Sequence, residues 1–200
     1  MIETRCGCGK VWKSSDGARG RTMPCPGCGA PTVLGGAAAA AAPARHGTET
    51  SRDAIERAEQ LANAGRADEA RRAYERAIEL EPNNGGLHYL LANHLMFGMR
   101  LLVEAKDVYL RALRLWDDPG TWTNLGLCMA VLGYPDKAVG CFDRALQAAP
   151  HPIPLFYKAY ALMCAEDRAA SQACLQEARA LDPGGQHIAH GQALLTNLRG

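Results

Sequence analysis

Small and aromatic apolar residues recur at a fixed interval through the last three-quarters of the 200-residue chain, separated by mostly polar positions. Equivalent residues lie 68 positions apart, which is two periods of about 34 residues. A fixed period of this length predicts stacked supersecondary units. We therefore expect residues 51–200 to form a repeat array and not a single globular core. The matching positions, each pair 68 residues apart, are Ala70 and Ala138, Tyr74 and Phe142, and Ala77 and Ala145.

Glycine or proline interrupts this pattern at intervals of about 15 residues, which predicts that each unit is a pair of short helices. Small residues let the two helices of a pair approach closely, and larger residues fill the space between successive pairs. The small positions are Ala70, Ala105, Gly126 and Ala138. The larger ones are Tyr74, Tyr109, Phe142 and Leu175.

Residues 186–199 are predicted to form a terminal capping helix. They follow a Pro-Gly-Gly stop at residues 183–185, and their apolar side chains fall on one stripe. We expect one face of this helix to pack on the array and the other to face water. The stripe consists of Ile188, Leu194, Leu195 and Leu198.

The third unit carries nearly every position of a repeat signature: a large residue, a Leu-Gly pair, an inner-turn glycine, then alanine, an aromatic residue, alanine and proline. These are Trp122, Leu125, Gly126, Gly133, Ala138, Phe142, Ala145 and Pro150. In this pattern the array resembles tetratricopeptide repeats (TPRs). The resemblance implies a mostly α fold, a TPR α-solenoid of about four helix hairpins plus the capping helix. The units are residues 51–84, 85–118, 119–151 and 152–185.

Two of these units depart from the signature at a turn. The second unit has one extra residue around Phe97–Arg100. The fourth unit has Glu166 where the inner-turn glycine is expected.

In this family the first helix of each pair lines a concave groove, so the resemblance implies a ligand-binding surface. The Lys and Arg side chains with which some family members clamp a terminal carboxylate are mostly absent from the groove positions. Amide side chains can bracket a peptide bond, and aromatic residues suit an apolar or amphipathic segment. The predicted ligand is a peptide or helix of low net charge. The predicted peptide-binding positions are Tyr89, Asn93, Asn124, Leu127, Tyr157 and Tyr160.

Residues 1–34 contain two close cysteine pairs, Cys6 with Cys8 and Cys25 with Cys28. Two thiolates within one turn can occupy two corners of the tetrahedral site that Zn²⁺ prefers. A segment this short cannot build an adequate apolar core, so a metal would supply most of its folding free energy. The segment resembles a small β zinc ribbon, although one residue, and not the usual two, separates the first pair. We expect structural zinc, with iron and a redox-active dithiol as alternatives.

Residues 35–50 are rich in alanine and glycine and lack large apolar side chains, so we expect a flexible linker. The first residues carry no apolar secretory signal, and the eight cysteines then favour thiols or metal ligands over disulfides. No apolar run is long enough to cross a membrane. On these grounds we expect a cytoplasmic protein with no membrane partner.

The net charge of +1 divides into +3 for residues 1–34 and −2 for residues 51–200, which does not favour a strongly electrostatic partner such as duplex DNA. No catalytic triad, phosphate-binding loop or paired catalytic carboxylate is evident. We therefore expect a non-enzymatic scaffold for a protein or peptide partner, without a small-molecule substrate. The alternative function is a nucleic-acid-associated adaptor whose zinc ribbon contacts RNA or DNA.

Packing between repeats is the alternative role for Tyr89, Phe156 and Tyr160.

Overall fold

The chain divides into two compact units, Met1–Glu49 and Thr50–Gly200. Cys6, Cys8 and Cys28 of the predicted zinc site lie outside the residues that the structure describes, as do residues 35–48 of the predicted linker. The zinc ribbon and the linker therefore stay predictions. The structure, a computed structural model, describes residues 2–5, 10–15, 21–26, 31–34, 49–148 and 150–199.

The described part of the first unit forms two separate two-stranded antiparallel sheets. Thr4, Cys25 and Leu34 are buried, and the backbone N–H of Leu34 donates to the carbonyl of Arg21 at 2.9 Å. Within the described residues of the chain, no three His, Cys, Asp or Glu side chains are grouped so that they could hold a metal ion. The strands are β1 Ile2–Arg5 paired with β2 Val11–Ser14, and β3 Thr22–Pro24 paired with β4 Pro31–Val33.

The second unit is helical, and successive helices pair as α1 with α2, α3 with α4, α5 with α6 and α7 with α8. Each pair packs on the next through its second helix, so the predicted helical solenoid is confirmed. No helix in the described ranges has both the length and the apolar character needed to span a membrane. The helices are α1 Ser51–Asn63, α2 Ala67–Leu80, α3 Gly85–Asn93, α4 Leu102–Leu115, α5 Pro119–Val131, α6 Pro135–Ala148, α7 Pro152–Cys164, α8 Arg168–Leu181 and α9 Gln186–Arg199.

The turns inside the pairs need a residue in the left-handed region. Gly65 and Gly133 supply it in the first and third pairs, with φ of 73° and 85°. Glu166 occupies the same position in the fourth pair and also adopts a positive φ, 64°. A side chain in this conformation costs about 1–2 kcal/mol relative to the right-handed region, so the fourth turn is strained.

The extra residue of the second unit is accommodated by a π-helical turn, His94–Gly98, at the end of α3. The N–H of Met99 bonds to the carbonyl of His94, five residues earlier, at 3.1 Å. A π turn takes up one more residue than an α turn. Arg100, with a φ of 59°, then redirects the chain into α4.

The core runs along the stack and follows the repeat signature. In the fourth unit Ser171 takes the place of alanine, and its buried hydroxyl donates to the carbonyl of Ala159 at 2.8 Å. A buried polar group needs such a partner, so the substitution is tolerated. The buried signature positions include Ala70, Tyr74, Ala77, Ala105, Tyr109, Ala112, Ala138, Phe142, Ala145 and Ala178.

Candidate functional site

The first helices of the last three pairs lie side by side and form what we call the inner face. α5 packs on α7, and Asn124 of α5 is hydrogen-bonded to Asn93 of α3. All six predicted groove residues belong to these three helices. Tyr89 and Asn93 lie on α3, Asn124 and Leu127 on α5, and Tyr157 and Tyr160 on α7.

The six residues differ in their accessibility. Tyr89, Asn93, Asn124 and Tyr160 are partly buried. Leu127 and Tyr157 are 0% and 1% exposed, so in this structure they are core residues and cannot contact a ligand without a rearrangement. The inner face is therefore open around the asparagines and closed around Leu127 and Tyr157.

The two asparagines form a fixed pair. The carbonyl oxygen Oδ1 of Asn93 accepts from the hydroxyl of Tyr109 at 2.6 Å and from Nδ2 of Asn124 at 2.9 Å. Tyr109 is fully buried, and burial raises the pKa of its hydroxyl well above the ordinary value, so it remains a donor. The buried Tyr109 thus fixes the orientation of the Asn93 side chain, and Asn93 in turn fixes that of Asn124. The carbonyl oxygen and the second amide hydrogen of Asn124 are not used in this bond.

A cavity of about 340 Å³ opens beside this pair. Its walls come from the beginnings of α5 and α7, from the end of α6 and from Tyr89 of α3. Apolar side chains dominate, and within the described lining none is Lys, Arg, Asp or Glu. The lining residues are Tyr89, Pro119, Gly120, Thr123, Asn124, Ala145, Ala148, His151, Ile153 and Pro154.

His151 lies at the rim of the cavity and also begins α7. Its Nδ1 accepts from the backbone N–H of Ile153 at 3.2 Å, which requires an unprotonated nitrogen. Burial lowers the pKa of His151 and the neighbouring His187 lowers it further, while Asp182 acts in the opposite direction. The ring centres of the two histidines are 5.6 Å apart. The lowered pKa favours the neutral form of His151, which is the form that this hydrogen bond requires.

The buried cysteines of the solenoid are packing groups. Burial raises the pKa of the Cys128 thiol to about 12 and that of Cys141 to about 11. The thiolate, and not the thiol, is the nucleophile, so neither residue is suited to covalent catalysis. The Cys128 thiol instead donates to the carbonyl of Leu102 at 3.1 Å.

α9 covers the closed part of the inner face. It packs on α7, α5 and the π-helical turn. Leu195 and Leu198 are buried in the main core cluster, and the guanidinium of Arg199 lies over the ring of Tyr160 at 5.6 Å. Arg100 donates to the carbonyl of Leu198 at 3.3 Å. The capping helix therefore lies across the inner face.

Comparison with known proteins agrees with this architecture. The family model of the tetratricopeptide repeat matches residues 52–94. The solved structure MamA 41-end from Desulfovibrio magneticus RS-1 matches with a TM-score of 0.62 and 15% identity, over 74% of this chain and 92% of that one. YrrB, described as a TPR protein with an unusual peptide-binding site, matches with a TM-score of 0.50 and 19% identity, over 74% of this chain and 94% of that one. The helical unit therefore has the tetratricopeptide-repeat fold.

One curated relative is similar over part of its sequence. Human protein O-mannosyl-transferase TMTC3 is 34% identical over 101 residues, which are 49% of this chain and 11% of that protein. The chain thus covers only a small fraction of this relative.

Proposed function

We propose that this tetratricopeptide-repeat solenoid is a non-enzymatic scaffold that binds a peptide segment of low net charge in the cavity beside Asn124. One observation carries the proposal: Asn124, which is hydrogen-bonded to Asn93, lies in the wall of a mainly apolar cavity of about 340 Å³. The cavity is large enough for one or two side chains of a peptide, and Asn124 offers hydrogen bonds to its backbone.

Asn124 is the residue that we propose to contact the peptide backbone. A peptide bond presents one donor and one acceptor, and the Asn124 amide presents both partners beyond its bond to Asn93. Because Asn93 fixes the orientation of this side chain, binding does not have to order it. Such contacts recognise the backbone and do not depend on the sequence of the ligand.

The rest of the cavity favours an apolar side chain. Tyr89, Ile153 and Pro154 supply apolar walls. A charged ligand group would lose hydration there without gaining an opposite charge, which is unfavourable. YrrB, a TPR protein with an unusual peptide-binding site and a similar fold, supports the same class of ligand for this chain.

A random peptide library displayed on phage tests this proposal on the full chain. We expect the enriched peptides to have low net charge and an apolar residue, and to bind the Asn124→Ala chain at least tenfold more weakly. Gln172→Ala is the matched control, because it removes an exposed amide from α8. Enrichment of acidic peptides, or equal binding to the Asn124→Ala chain, would contradict the proposal.

The similarity to TMTC3 does not lead us to propose an enzyme. The match covers 11% of that transferase, and the functional site described above contains an amide pair, an apolar cavity and inert thiols. The similarity supports a shared repeat region, which in this chain we propose to be used for binding.

We further propose that the first unit binds structural zinc through Cys6, Cys8, Cys25 and Cys28, with iron as the alternative metal. In sequence, one cysteine pair lies between β1 and β2 and the other between β3 and β4, so each pair belongs to the connection of one sheet. Metal analysis of the purified chain should find about one zinc per chain, and Cys25→Ser with Cys28→Ser should abolish it. A metal-free wild-type chain, purified without chelator, would contradict this proposal.

A further inference from the structure

α9 interrupts the packing order of the solenoid. The second helix of each earlier pair packs on the first helix of the next, as α2 does on α3, α4 on α5 and α6 on α7. By this order α9 should pack on α8. Instead, the main contacts of α9 are with α7, α5 and the π-helical turn. A cleft of about 630 Å³ opens among α7, α8 and α9, with Leu175 of α8 and Ile188 of α9 on its walls. α9 is thus seated on the inner face and not at the end of the stack.

The contacts of α9 resemble those of a bound amphipathic helix. Leu195 and Leu198 are its buried apolar anchors, 7% and 5% exposed. Polar contacts fix its C-terminal end, where Arg100 donates to the Leu198 carbonyl. Residues on the opposite side, such as Ala193 and Asn197, are exposed. The helix therefore presents one apolar face to the solenoid and one face to solvent, as in helix-in-groove recognition.

The packing of α9 on the inner face leaves one polar group, the Tyr157 hydroxyl, without a hydrogen bond in the described part of the solenoid. The Tyr157 hydroxyl is buried, and among the described residues it has no hydrogen-bond partner. The α9 residue that faces it is Gly191, where a Cβ atom would lie 3.4 Å from the Tyr157 hydroxyl oxygen and 3.4 Å from Cδ1 of Phe156. A buried hydroxyl without a partner is unfavourable, so a helix with a small polar side chain at this point would fit better than α9 does.

The segment that joins α9 to the solenoid permits it to move. Gly184 has no neighbour within 4 Å at its Cβ position, and Gly185 has a φ of 69°. One carboxylate, that of Asp182, holds the start of α9 by accepting from the backbone N–H of Ile188 at 2.9 Å. The backbone N–H of Gly185 donates to the Asp182 carbonyl at 3.0 Å, and His187 adds a ring contact with His151. Two adjacent glycines and these few contacts form a weak attachment.

We propose that α9 is a displaceable occupant of the inner face, and that the same surface binds an amphipathic helix of a partner protein. The partner helix carries two apolar residues at the spacing of Leu195 and Leu198, and a small hydroxyl-bearing residue at the position of Gly191. This surface extends the proposed scaffold function, but it is separate from the cavity beside Asn124, so the two sites are tested independently.

The probe is a fluorescent peptide with the sequence of residues 185–200, together with a version that contains Gly191→Ser. The receptor is the full chain, either wild type or with Leu195→Asp and Leu198→Asp, which removes the anchors of its own α9. We expect the opened chain to bind the peptide at least tenfold more tightly than the wild-type chain. The Gly191→Ser peptide should bind the opened chain several-fold more tightly than the peptide with glycine.

The matched control is Ala193→Asp with Asn197→Asp, which adds the same charge to the exposed side of α9. This chain should bind the peptide as weakly as the wild type. Asn124→Ala in the opened chain should leave binding of the helical peptide within twofold, which separates this surface from the proposed peptide cavity. Light scattering of the wild-type chain, whose α9 keeps both anchors, shows whether copies exchange α9 with one another.

Failure of the opened chain to bind the peptide, with its helical circular dichroism and cooperative melting intact, would overturn the proposal. If the double substitution unfolds the chain, Arg100→Ala is tested in its place, because it removes only the hydrogen bond to the Leu198 carbonyl. This substitution should raise peptide binding several-fold. Unchanged binding by that chain would also overturn it. A dimer that forms by exchange of α9 would replace the partner helix with a second copy of this chain.

Discussion

Gly126 of α5 lies directly against the ring of Phe142 of α6. A Cβ atom on Gly126 would be 2.6 Å from Cε1 of Phe142, closer than two carbon atoms can approach. Phe142 is fully buried, so its ring cannot move without displacing other core residues. The close approach of the two helices in the third pair therefore depends on the absence of a side chain at position 126.

Gly126→Ala should destabilise the solenoid, because the added methyl group overpacks this contact. The expected loss is about 1–3 kcal/mol in the free energy of unfolding, measured by urea denaturation. Gly140→Ala is the control, because Gly140 lies in α6 with nothing within 4 Å of its Cβ position. That change should stabilise the chain by up to about 1 kcal/mol through helix propensity. Equal effects of the two substitutions would contradict the close-packing argument.

Glu166→Gly should stabilise the chain, because glycine adopts the positive φ of the fourth inner turn without strain. We expect a gain of about 1 kcal/mol in the free energy of unfolding. Glu166→Ala removes the same carboxylate but keeps the Cβ atom, so it should give little or no gain. A gain of equal size for alanine would attribute the effect to charge and not to backbone strain.

Asn93→Ala should cost stability as well as disturb the asparagine pair, since it leaves the buried Tyr109 hydroxyl without its oxygen acceptor. The nearby Met96 sulfur, at 3.6 Å, is a weak acceptor. We expect a loss of about 1–3 kcal/mol. In a double-mutant cycle with Tyr109→Phe, the two losses should not add, because the second change removes the group that the first leaves unpaired. Additive losses would show that the bond contributes nothing.

Acid should weaken the start of α7 through His151. The pKa of His151 is lowered in the folded chain from its ordinary value of 6.5, so the unfolded chain binds a proton more readily. Its contribution to stability is present above pH 6.5 and is lost as the pH falls through the lowered folded value. His187 and Asp182 are the charged or titratable groups that act on it.

The measurement is the urea midpoint of the full chain at pH 7.5 and at pH 5. The decrease between the two should be smaller for His151→Asn, because asparagine can accept the same helix-capping bond and does not titrate. The same decrease in both chains would exclude His151 as the source of the acid sensitivity.

Residue types at the turns and between the helices predicted most of the solenoid. The conformation of a turn depends on the few residues that form it. The sequence therefore indicated the inner turns at Gly65 and Gly133, and it indicated an irregular turn at the extra residue near Phe97. The sequence did not show whether the side chain of a residue on the first helix of a pair is accessible to a ligand or buried in the core. Leu127 and Asn124 lie on the same helix, yet Leu127 is fully buried and Asn124 faces the cavity.

The sequence by itself determined the repeat period, the pairing of the helices and the positions of small and aromatic core residues, since these depend on contacts within a unit or between neighbours. Only the tertiary structure decided the place of α9. The apolar stripe of Leu195 and Leu198 indicates that one face of this helix is buried, but it does not specify the surface that buries it. The end of α8 and the inner face were both available, and long-range contacts such as that of Arg100 with Leu198 place α9 on the inner face.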